Sequence, residues 1–470
     1  MTSCPNCERL QAQLEAQRLQ IEALQAAVSR LQEQLAGARK DSSTSSKPPS
    51  SDIVKPPRPS AASDQTPRRI GGQPGHPKHG RAAFGPEQIT LAVEHPLHAC
   101  PDCGGPLRRN GDFARVVQQV DVQRPPLTVE QHTCPEYWCP GCANAYKADP
   151  PGHVEAGGLV GPNLTTLIAY LKGVCHASYS TVRLFLRDVA GVTVSRGLLA
   201  KVIARVSAAL AGPYDELLAC LPQEPVVNVD ETGHKDNGIL MWTWCFRAEL
   251  YTLFKIDPTR GAGVLLEVLG EEFDGVLGRD CFSAYRRYMR ECDVRVQFCL
   301  AHLIREVKFL ATLPDEATRR YGERLRERLR WLFGVIHRRE ELPAAAFRRQ
   351  LAEARDSVLF WARFQVPASP AAQRLAARLE RYGASYFEFI TTPGIDPTNN
   401  VAEQAIRFVV IDRHITQGTR GEKGRRFCER VWTVLATCGQ QGRGVFEYLS
   451  AAVAAYFTGE EAPGLLPAGG

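Results

Sequence analysis

Residues 224–238 read EPVVNVDETGHKDNG, and they predict a buried strand followed by two acidic side chains. The segment PVVNV is short, apolar and β-branched, interrupted only by Asn228, which is typical of a buried strand. Asp230 and Glu231 follow directly. A carboxylate at the end of a buried strand is costly unless a cation meets it, so an arginine, a metal ion or a transferable proton is expected beside Asp230.

Five further segments predict that this strand belongs to an α/β domain. LMWTWCFRAE and LYTLFKID are apolar and aromatic, which favours two antiparallel strands. RGAGVLLEVLG predicts a short helix, DGVLGRDCFSAY a strand that stops at Asp280, and VRVQFCLAHLIREV a fifth strand that runs into a helix. Asp230 and Asp280 are therefore expected at the ends of neighbouring strands. Two such carboxylates repel unless a cation lies between them, and a hard divalent metal is the natural partner.

A third acidic residue is available in the segment PGIDPTNNVAEQAIRF. This segment predicts a helix that begins at Asn399 or Asn400, with Glu403 in its first turn and Arg407 at i+4 on the same face. Arg407 is predicted either to bind a phosphate or to pair with Glu403, and we favour the phosphate. The alternative for each acid is an ordinary exposed strand end or helix start. The rival metal-binding acids are Asp257, Asp274 and Asp396.

Residues 311–392 are rich in arginine and helical in pattern, which predicts a helical insertion within a catalytic domain of residues 222–412. Just ahead of the insertion, Cys299 and His302 could form half of a zinc site, although a buried thiol and a core histidine are the favoured interpretation. Glu231 is expected to face away from the metal and to pair with a local cation.

The segment DRHITQGTRGEKGRRFCERV opens a basic C-terminal region at 413–458 and is the strongest candidate for contact with nucleic acid. It holds more Lys and Arg than acidic residues, and its glycines let the backbone approach phosphates. Together with the helix before it, this region supplies the DNA-binding candidates Arg407, Arg413, Arg420, Lys423 and Arg425.

Residues 8–39 carry the clearest periodic pattern in the chain. Apolar side chains recur at alternating steps of four and three, as in a coiled coil, at Leu10, Leu14, Ile21, Leu24, Val28, Leu31 and Leu35. The residue types favour a parallel dimer, with Gln17 as the polar position that sets the register. The alternative is a single amphipathic helix packed on the body of the protein.

Residues 40–90 form a linker rich in Ser, Pro and Gly, with eight Lys and Arg against four Asp and Glu. Such a composition cannot build a core. A basic tether suits contact with a phosphate backbone, and a merely solvated linker is equally compatible.

Residues 91–150 contain two CxxC knuckles, CPDC and CPGC. Each knuckle is a tight turn in which two thiolates can converge on one Zn²⁺, so that four sulfurs surround the metal. The alternative is four reduced thiols in turns. The predicted zinc ligands are Cys100, Cys103, Cys139 and Cys142.

Residues 158–215 are helical in pattern and contain two helices joined by a short Gly-containing turn. Ser195 is the predicted N-cap of the second helix. This arrangement is consistent with a helix-turn-helix, in which Arg196, Lys201 and Arg205 would contact a DNA groove. The alternative is an ordinary helix pair without DNA contacts, because most helix pairs bind no DNA.

The totals agree with a multidomain protein. A chain of 470 residues is too long for one core, and 44% hydrophobic with 23% charged residues is ordinary for a globular protein. No apolar run reaches about 18 residues and no signal pattern opens the chain, so we expect a cytoplasmic protein without a membrane role. Fifteen cysteines in such a chain favour metal sites or buried thiols over disulfides.

The chain resembles the insertion-sequence 66 family of bacterial transposases. The resemblance rests on the order of the coiled coil, SSKPPSSD, GGQPGH, the paired knuckles, VDET, DCFSAY, CLAHL and NNVAEQAIR, and it covers about residues 8–450. It implies a multidomain α+β protein with a ribonuclease-H-like catalytic core. It also implies that Asp230, Asp280 and Glu403 form an Asp-Asp-Glu triad that binds Mg²⁺ or Mn²⁺.

The resemblance further implies cleavage at the ends of an insertion sequence and transfer of the 3′-OH ends into target DNA. The implied partners are terminal inverted repeats, target DNA, a second copy of the chain and small companion proteins encoded by the same element. The implied location is the bacterial cytoplasm, on the nucleoid. The alternatives are a decayed transposase that only binds DNA and a metal-dependent nuclease that does not join ends.

Overall fold

The structure is a computed structural model that describes residues 5–38, 40, 83–89, 91–92, 102, 127–141, 144–147, 149–281, 283–392 and 394–467. Two compact units are distinguished: the first comprises residues 1–56, 131–187 and 192–470, and the second residues 57–130 and 188–191. Within the described ranges, no helix has the length and apolar character that a membrane crossing requires.

The N-terminal half of the described chain is mostly helical, with one β-hairpin. A long helix comes first, then the antiparallel strands β1 and β2, then five helices. The bounds are α1 Pro5–Ala38, β1 Glu136–Cys139, β2 Asn144–Lys147, α2 Gly152–Gly157, α3 Pro162–Gly173, α4 Tyr179–Asp188, α5 Arg196–Ala209 and α6 Ala211–Cys220. Short 3₁₀ turns occur at Pro86–Gln88, Leu221–Gln223 and Ala384–Tyr386.

The apolar positions of the predicted coiled coil all lie on α1. Each of the seven apolar side chains of the repeat is more than half exposed in the single chain. The pairing of two such helices therefore stays a prediction. The predicted linker lies largely outside the described residues, as do Cys100, Cys103 and Cys142 of the predicted zinc site, while Cys139 is the last residue of β1.

The five strands predicted between residues 225 and 298 are present and form one mixed sheet. Their order is β5-β4-β3-β6-β7, in which β3, β4 and β5 are antiparallel neighbours and β6 runs parallel to both β3 and β7. The bounds are β3 Val226–Asp236, β4 Ile239–Arg247, β5 Thr252–Asp257, α7 Ala262–Leu269, β6 Val276–Arg279, α8 Ser283–Cys292, β7 Arg295–Phe298 and α9 Leu300–Leu310.

The first strand of the sheet is longer than the sequence predicted. It was expected to stop before Asp230, but β3 continues to Asp236. The reason is the turn at Asn237 and Gly238, whose φ angles of 52° and 82° allow a two-residue hairpin that pairs Asp236 with Ile239. Asp230 therefore lies within a paired strand, where the ladder holds its backbone in place.

The predicted insertion at 311–392 lies between the sheet and the last three helices, and its described residues are mostly helical. Helices α10 and α11 pack against each other, and α10 also packs on α9. Tyr321 is fully buried and donates a hydrogen bond of 2.6 Å to Ala362 O, which joins the two long helices. The bounds are α10 Glu316–His337, α11 Ala344–Arg363, α12 Pro370–Tyr382 and α13 Glu388–Thr391.

The last three helices are α14 Asn400–Thr416, α15 Glu422–Gln441 and α16 Val445–Thr458. The predicted domain boundary at residue 412 thus falls inside α14.

Helix α15 runs along the edge strand β5. Its side chains accept hydrogen bonds from the backbone N–H groups of β5 that are not paired with β4. Ile256 N donates to Glu429 (2.7 Å), Phe254 N to Thr433 (3.0 Å) and Thr252 N to Thr437 (3.2 Å). The spacing of four residues on the helix matches two on the strand, so α15 closes this edge of the sheet.

Candidate metal and catalytic site

Asp230 and Asp280 occupy equivalent positions on adjacent parallel strands. The last paired residues of β3 and β6 are Asn228 and Gly278, and each acid follows two residues later. Because side chains alternate along a strand, residues two apart point to the same face. A Cβ at Gly278 would lie 2.2 Å from Asn228 Oδ1, so a larger residue there would require the Asn228 side chain to move. The strand register thus brings the two predicted acids to the same level of the sheet.

Burial and neighbouring carboxylates raise the pKa of Asp230 well above its usual range. After burial, the contributing charges are those of Glu231, Glu403 and Asp280, in that order. Asp230 therefore lies close enough to both other predicted triad acids for their charges to act on it. An arrangement of this kind is unfavourable for the charged protein alone, and it fits a site for a divalent cation with oxygen ligands.

Glu403 enters the site from the first turn of α14, where two side chains of α9 lie beside its carboxylate. His302 Nδ1 lies 3.5 Å from Glu403 Oε1, and Arg305 Nη2 lies 3.4 Å from Oε2. Arg407, which was considered as the partner of Glu403, is exposed and forms no ion pair with the described part of the chain. Arg305 was not among the predicted site residues, although its position in AHLIREV, one turn after His302, was an available signal.

The start of α14 is anchored to the sheet by Asn399, which is 2% exposed. Its side-chain Nδ2 donates to Val229 O at 2.8 Å, and its backbone N–H donates to Cys299 Sγ at 3.2 Å. Leu300 N also donates to Pro397 O at 2.9 Å. These bonds join the turn before α14 to β3 and to the start of α9, so they determine where Glu403 lies.

The buried side chain of Arg279 hydrogen-bonds to the backbone of Asp280. This contact was not predicted from the sequence. The guanidinium is fully buried between the rings of Tyr285 and Phe298, at 4.5 and 4.4 Å from their centroids. Its Nη1 donates to Asp280 O at 2.7 Å. Burial lowers the pKa of Arg279 to about 10, so the side chain remains a cation at neutral pH. A charged residue at the end of an otherwise apolar strand, in VLGRD, was the available signal.

Glu231 pairs with a local cation, as predicted. Arg260 Nη2 lies 2.6 Å from Glu231 Oε1, and Tyr285 donates its hydroxyl to the other oxygen. Arg260 also stacks over the Trp242 ring at 4.7 Å. Although these contacts stabilise the carboxylate, burial and the charge of Asp280 raise the pKa of Glu231.

Two of the rival acids cap turns. Asp257 accepts hydrogen bonds from the backbone and hydroxyl of Thr259 at 2.8 and 3.0 Å. Asp396 accepts the equivalent pair from Thr398, both at 2.6 Å. Neither these acids nor Asp274 contribute to the raised pKa of Asp230.

Cys299, His302 and Glu403 form a cluster in which one potential ligand atom from each residue lies within 4.8 Å of the others. Cys299 is 1% exposed, and burial raises the pKa of its thiol. Burial also lowers the pKa of His302. The sequence favoured a buried thiol and a core histidine, and the structure adds that both border Glu403.

The predicted DNA-binding residues divide into two groups. Arg205 donates to Gly157 O at 3.1 Å, Arg413 to Thr232 Oγ1 at 2.7 Å, and Arg425 pairs with Asp236, so these three side chains are bonded within the protein. The exposed members are Arg196, Lys201, Arg407, Arg420 and Lys423. Of these, Arg196 also donates to Ser180 Oγ at 2.8 Å and Arg420 to Thr419 O at 3.0 Å.

The predicted helix pair is present as α4 and α5. Ser195 caps α5 as predicted, accepting a hydrogen bond of 3.0 Å from Leu198 N. The connection covers residues 189–195, which is longer than the turn of about three or four residues in a helix-turn-helix.

Family models match three parts of the chain. The model of the transposase IS66 family matches residues 157–426, which is more than half of the chain and includes the whole sheet and the three acids. The zinc-finger binding domain of transposase IS66 matches residues 98–143, where the CxxC knuckles lie, and a family of unknown function, DUF6444, matches residues 3–82. The match over the sheet defines the protein as a transposase by class. The chain belongs to the IS66 transposase family, and its zinc-finger domain supports bound Zn²⁺.

Two proteins of Sinorhizobium fredii are similar to the chain. The uncharacterized protein y4jD is 28% identical over 242 residues, which cover 47% of this chain and 46% of that protein. The uncharacterized protein y4qI is 24% identical over 414 residues, which cover 82% of this chain and 75% of that protein. The first match thus spans about half the length of the relative, and neither name describes an activity.

Proposed function

We propose that the protein is a metal-dependent DNA strand-transfer enzyme that cuts at the ends of an insertion sequence and joins the freed 3′-OH ends to target DNA. The observation that carries the proposal is the strand register, which brings Asp230 and Asp280 to the same level of the sheet. After burial and the charge of Glu231, the charges of Glu403 and Asp280 also raise the pKa of Asp230, which agrees with three carboxylates in one site. The three acids come from β3, from the residue after β6 and from α14, so the fold assembles them from distant parts of the sequence.

The sheet supports a ribonuclease-H-like catalytic core. Three antiparallel strands are followed by two parallel strands, in the order β5-β4-β3-β6-β7. Asp230 lies on β3 and Asp280 directly after the adjacent strand β6. Glu403 on a later helix completes the set that the family resemblance implies. A helical insertion between the second and third acids agrees with the same architecture.

The donor set fits Mg²⁺ or Mn²⁺, since all three proposed ligands are carboxylates. When bound, such an ion activates water or a 3′-hydroxyl and stabilises the leaving oxygen of a phosphodiester. The protein's own contribution is to hold Asp230 on the β-ladder, Asp280 against Arg279, and Glu403 through Asn399. No covalent intermediate on the protein is required.

DNA binding would use the exposed cations on and after α14. Arg407, Arg420 and Lys423 are exposed, and we assign them to phosphate contacts. We further propose that two chains pair through α1, and that companion proteins of the same element assist the reaction. The zinc-finger domain would add contacts to the element ends.

The test is a strand-transfer assay on labelled element ends with a plasmid target, in Mg²⁺ and in EDTA. Asp230→Asn and Glu403→Gln are expected to abolish joined products, whereas the control Asp257→Asn is expected to retain them because Asp257 only caps a turn. Metal-dependent cutting without joining would support a nuclease instead. Binding of the ends with neither reaction, even with companion proteins present, would support a DNA-binding relic.

A further inference from the structure

We propose that Cys299, His302 and Glu403 form a second metal site, selective for Zn²⁺ or a similar borderline cation, which competes for Glu403 with the proposed Mg²⁺ site. The competition rests on the proposed function, whereas the binding of zinc does not. Among the residues that the structure describes, this is the group whose sulfur, nitrogen and oxygen donors converge closely enough to hold one ion.

The donor chemistry distinguishes this site from the carboxylate site beside it. One thiolate, one imidazole and one carboxylate are ligands that structural and catalytic zinc sites use. Mg²⁺ prefers oxygen donors alone, so it has little affinity for a site in which two of the three ligand atoms are sulfur and nitrogen. Glu403 is therefore shared by two sets of potential ligands of different preference, the carboxylates of Asp230 and Asp280 and the pair of Cys299 and His302.

The distances suit a tetrahedral ion. His302 Nδ1 and Glu403 Oε1 lie 3.5 Å apart. Two ligand atoms that are each about 2.1 Å from Zn²⁺ at a tetrahedral angle are separated by about 3.4 Å. The Cys299 sulfur is within 4.8 Å of both atoms, so a small movement of side chains closes the site.

The two facing atoms are also buried and unsatisfied. His302 Nδ1 and Glu403 Oε1 have no hydrogen-bond partner, and their separation is too long for a good bond between them. Unsatisfied buried polar atoms are rare because each is costly. A shared cation would satisfy both of them at once.

Arg305 does not block the ion. Its Nη2 lies 3.4 Å from Glu403 Oε2 and its Nη1 lies 3.4 Å from His302 Nε2. Arg305 thus contacts the other atom of each side chain and leaves Glu403 Oε1 and His302 Nδ1 facing each other. Cys299 is buried, but His302 and Glu403 side chains are 17% and 27% exposed, so an ion can enter from their side. Binding would displace the thiol proton of Cys299 to solvent.

The first experiment counts zinc in the full-length chain, after dialysis against a weak chelator. Cys299→Ser and His302→Gln are each expected to bind one zinc ion fewer than the wild type. The control Cys438→Ser, which removes a fully buried thiol on α15, is expected to bind as much as the wild type. With Co²⁺ in place of Zn²⁺, the thiolate-to-metal absorption should fall in Cys299→Ser and remain in Cys438→Ser.

The second experiment measures strand transfer in Mg²⁺, with and without added Zn²⁺, and expresses each variant relative to its own activity in Mg²⁺ alone. Zinc should inhibit the wild type and Cys438→Ser at least tenfold more than Cys299→Ser. Equal zinc content in the wild type and Cys299→Ser would overturn the site, whether or not any strand transfer is seen. A difference in zinc content with equal inhibition would overturn the competition for Glu403.

Discussion

Asn399 donates from Nδ2 to the carbonyl of Val229 across 2.8 Å, and Val229 is the residue directly before Asp230. This bond joins the residue that precedes α14 to the strand that carries the first acid. Glu403 N in turn donates to Asn399 O at 3.2 Å, as the first turn of the helix requires. The buried side-chain amide of Asn399 therefore fixes the position of Glu403 relative to Asp230.

Replacing Asn399 by Ala should weaken catalysis more than folding. The loss of a buried hydrogen bond that leaves Val229 O unpaired costs about 1–3 kcal/mol of stability. A shift of Glu403 by about 1 Å is expected to reduce joining by about 100-fold. Asn400→Ala, at the exposed neighbouring position, is the matched control and should retain activity. Unfolding and strand transfer are measured on both, and normal joining by a destabilised Asn399→Ala would refute the positioning role.

The contact between α15 and the edge strand can be tested at Thr433, which is fully buried. Thr433→Val removes the acceptor of Phe254 N and keeps the side-chain shape, so it should cost about 1–3 kcal/mol of unfolding free energy. Thr433→Ser keeps the acceptor and loses only a methyl group, at a cost of about 1 kcal/mol. Denaturant unfolding of both variants measures the difference. If Ser proves as destabilising as Val, packing rather than the hydrogen bond accounts for the contact.

His234 should make stability depend on pH between about 4 and 6.5. It is 1% exposed, hydrogen-bonded to Thr419 across 3.0 Å, and burial lowers its pKa from 6.5 to about 4. In this range His234 binds a proton in the unfolded chain but not in the folded chain. Its contribution to the unfolding free energy is therefore complete above pH 6.5 and is lost as the pH decreases. The loss reaches at most about 3 kcal/mol at pH 4.

The measurement for this prediction is the unfolding free energy of the wild type and His234→Gln as a function of pH. The variant should show a flatter dependence above pH 4. The neighbouring Asp236 does not confuse the result, because its pKa is lowered below the usual 3.8 and its contribution is lost only in more acidic solution. Parallel curves for the two proteins would show that His234 is not the titrating group.

The exposed apolar repeat of α1 should mediate dimer formation. Ile21 and Val28 occupy one of the two predicted seam positions, and both are more than half exposed in the single chain. The double substitution Ile21→Lys with Val28→Lys places like charges on the seam and should yield monomers in light scattering. Ala26→Lys, on the outer side of the repeat, should leave the molar mass unchanged. A dimer that survives the double substitution would show that α1 does not hold the chains together.

The sheet was predictable because its signals are local. Apolar and aromatic segments such as LMWTWCFR form strands wherever both faces are covered, and the equivalent positions of Asp230 and Asp280 followed from two strands that each lead to an acid. The end of β3 was predicted wrongly because polar residues after Val229 resemble a loop. The Asn237-Gly238 pair was the local signal of the hairpin that continues the strand.

The surroundings of Glu403 could not be predicted, because they arise from contacts between distant segments. His302 and Arg305 reach the acid only once α9 packs beside α14, and Asn399 reaches Val229 only once both helices lie on the sheet. Helical periodicity shows which face of α14 is apolar. It does not show which side chains of other elements meet its first turn.

The helical insertion has a consequence for the order in which the chain is made. Asp280 is translated 50 residues after Asp230, and Glu403 follows a further 123 residues later, only after α10, α11 and α12 have been translated. At about 5–20 residues per second, that interval lasts from several seconds to about half a minute. A nascent or truncated chain that ends before α14 holds two carboxylates and lacks the third, so the carboxylate site can be completed only after almost the entire chain has been synthesised.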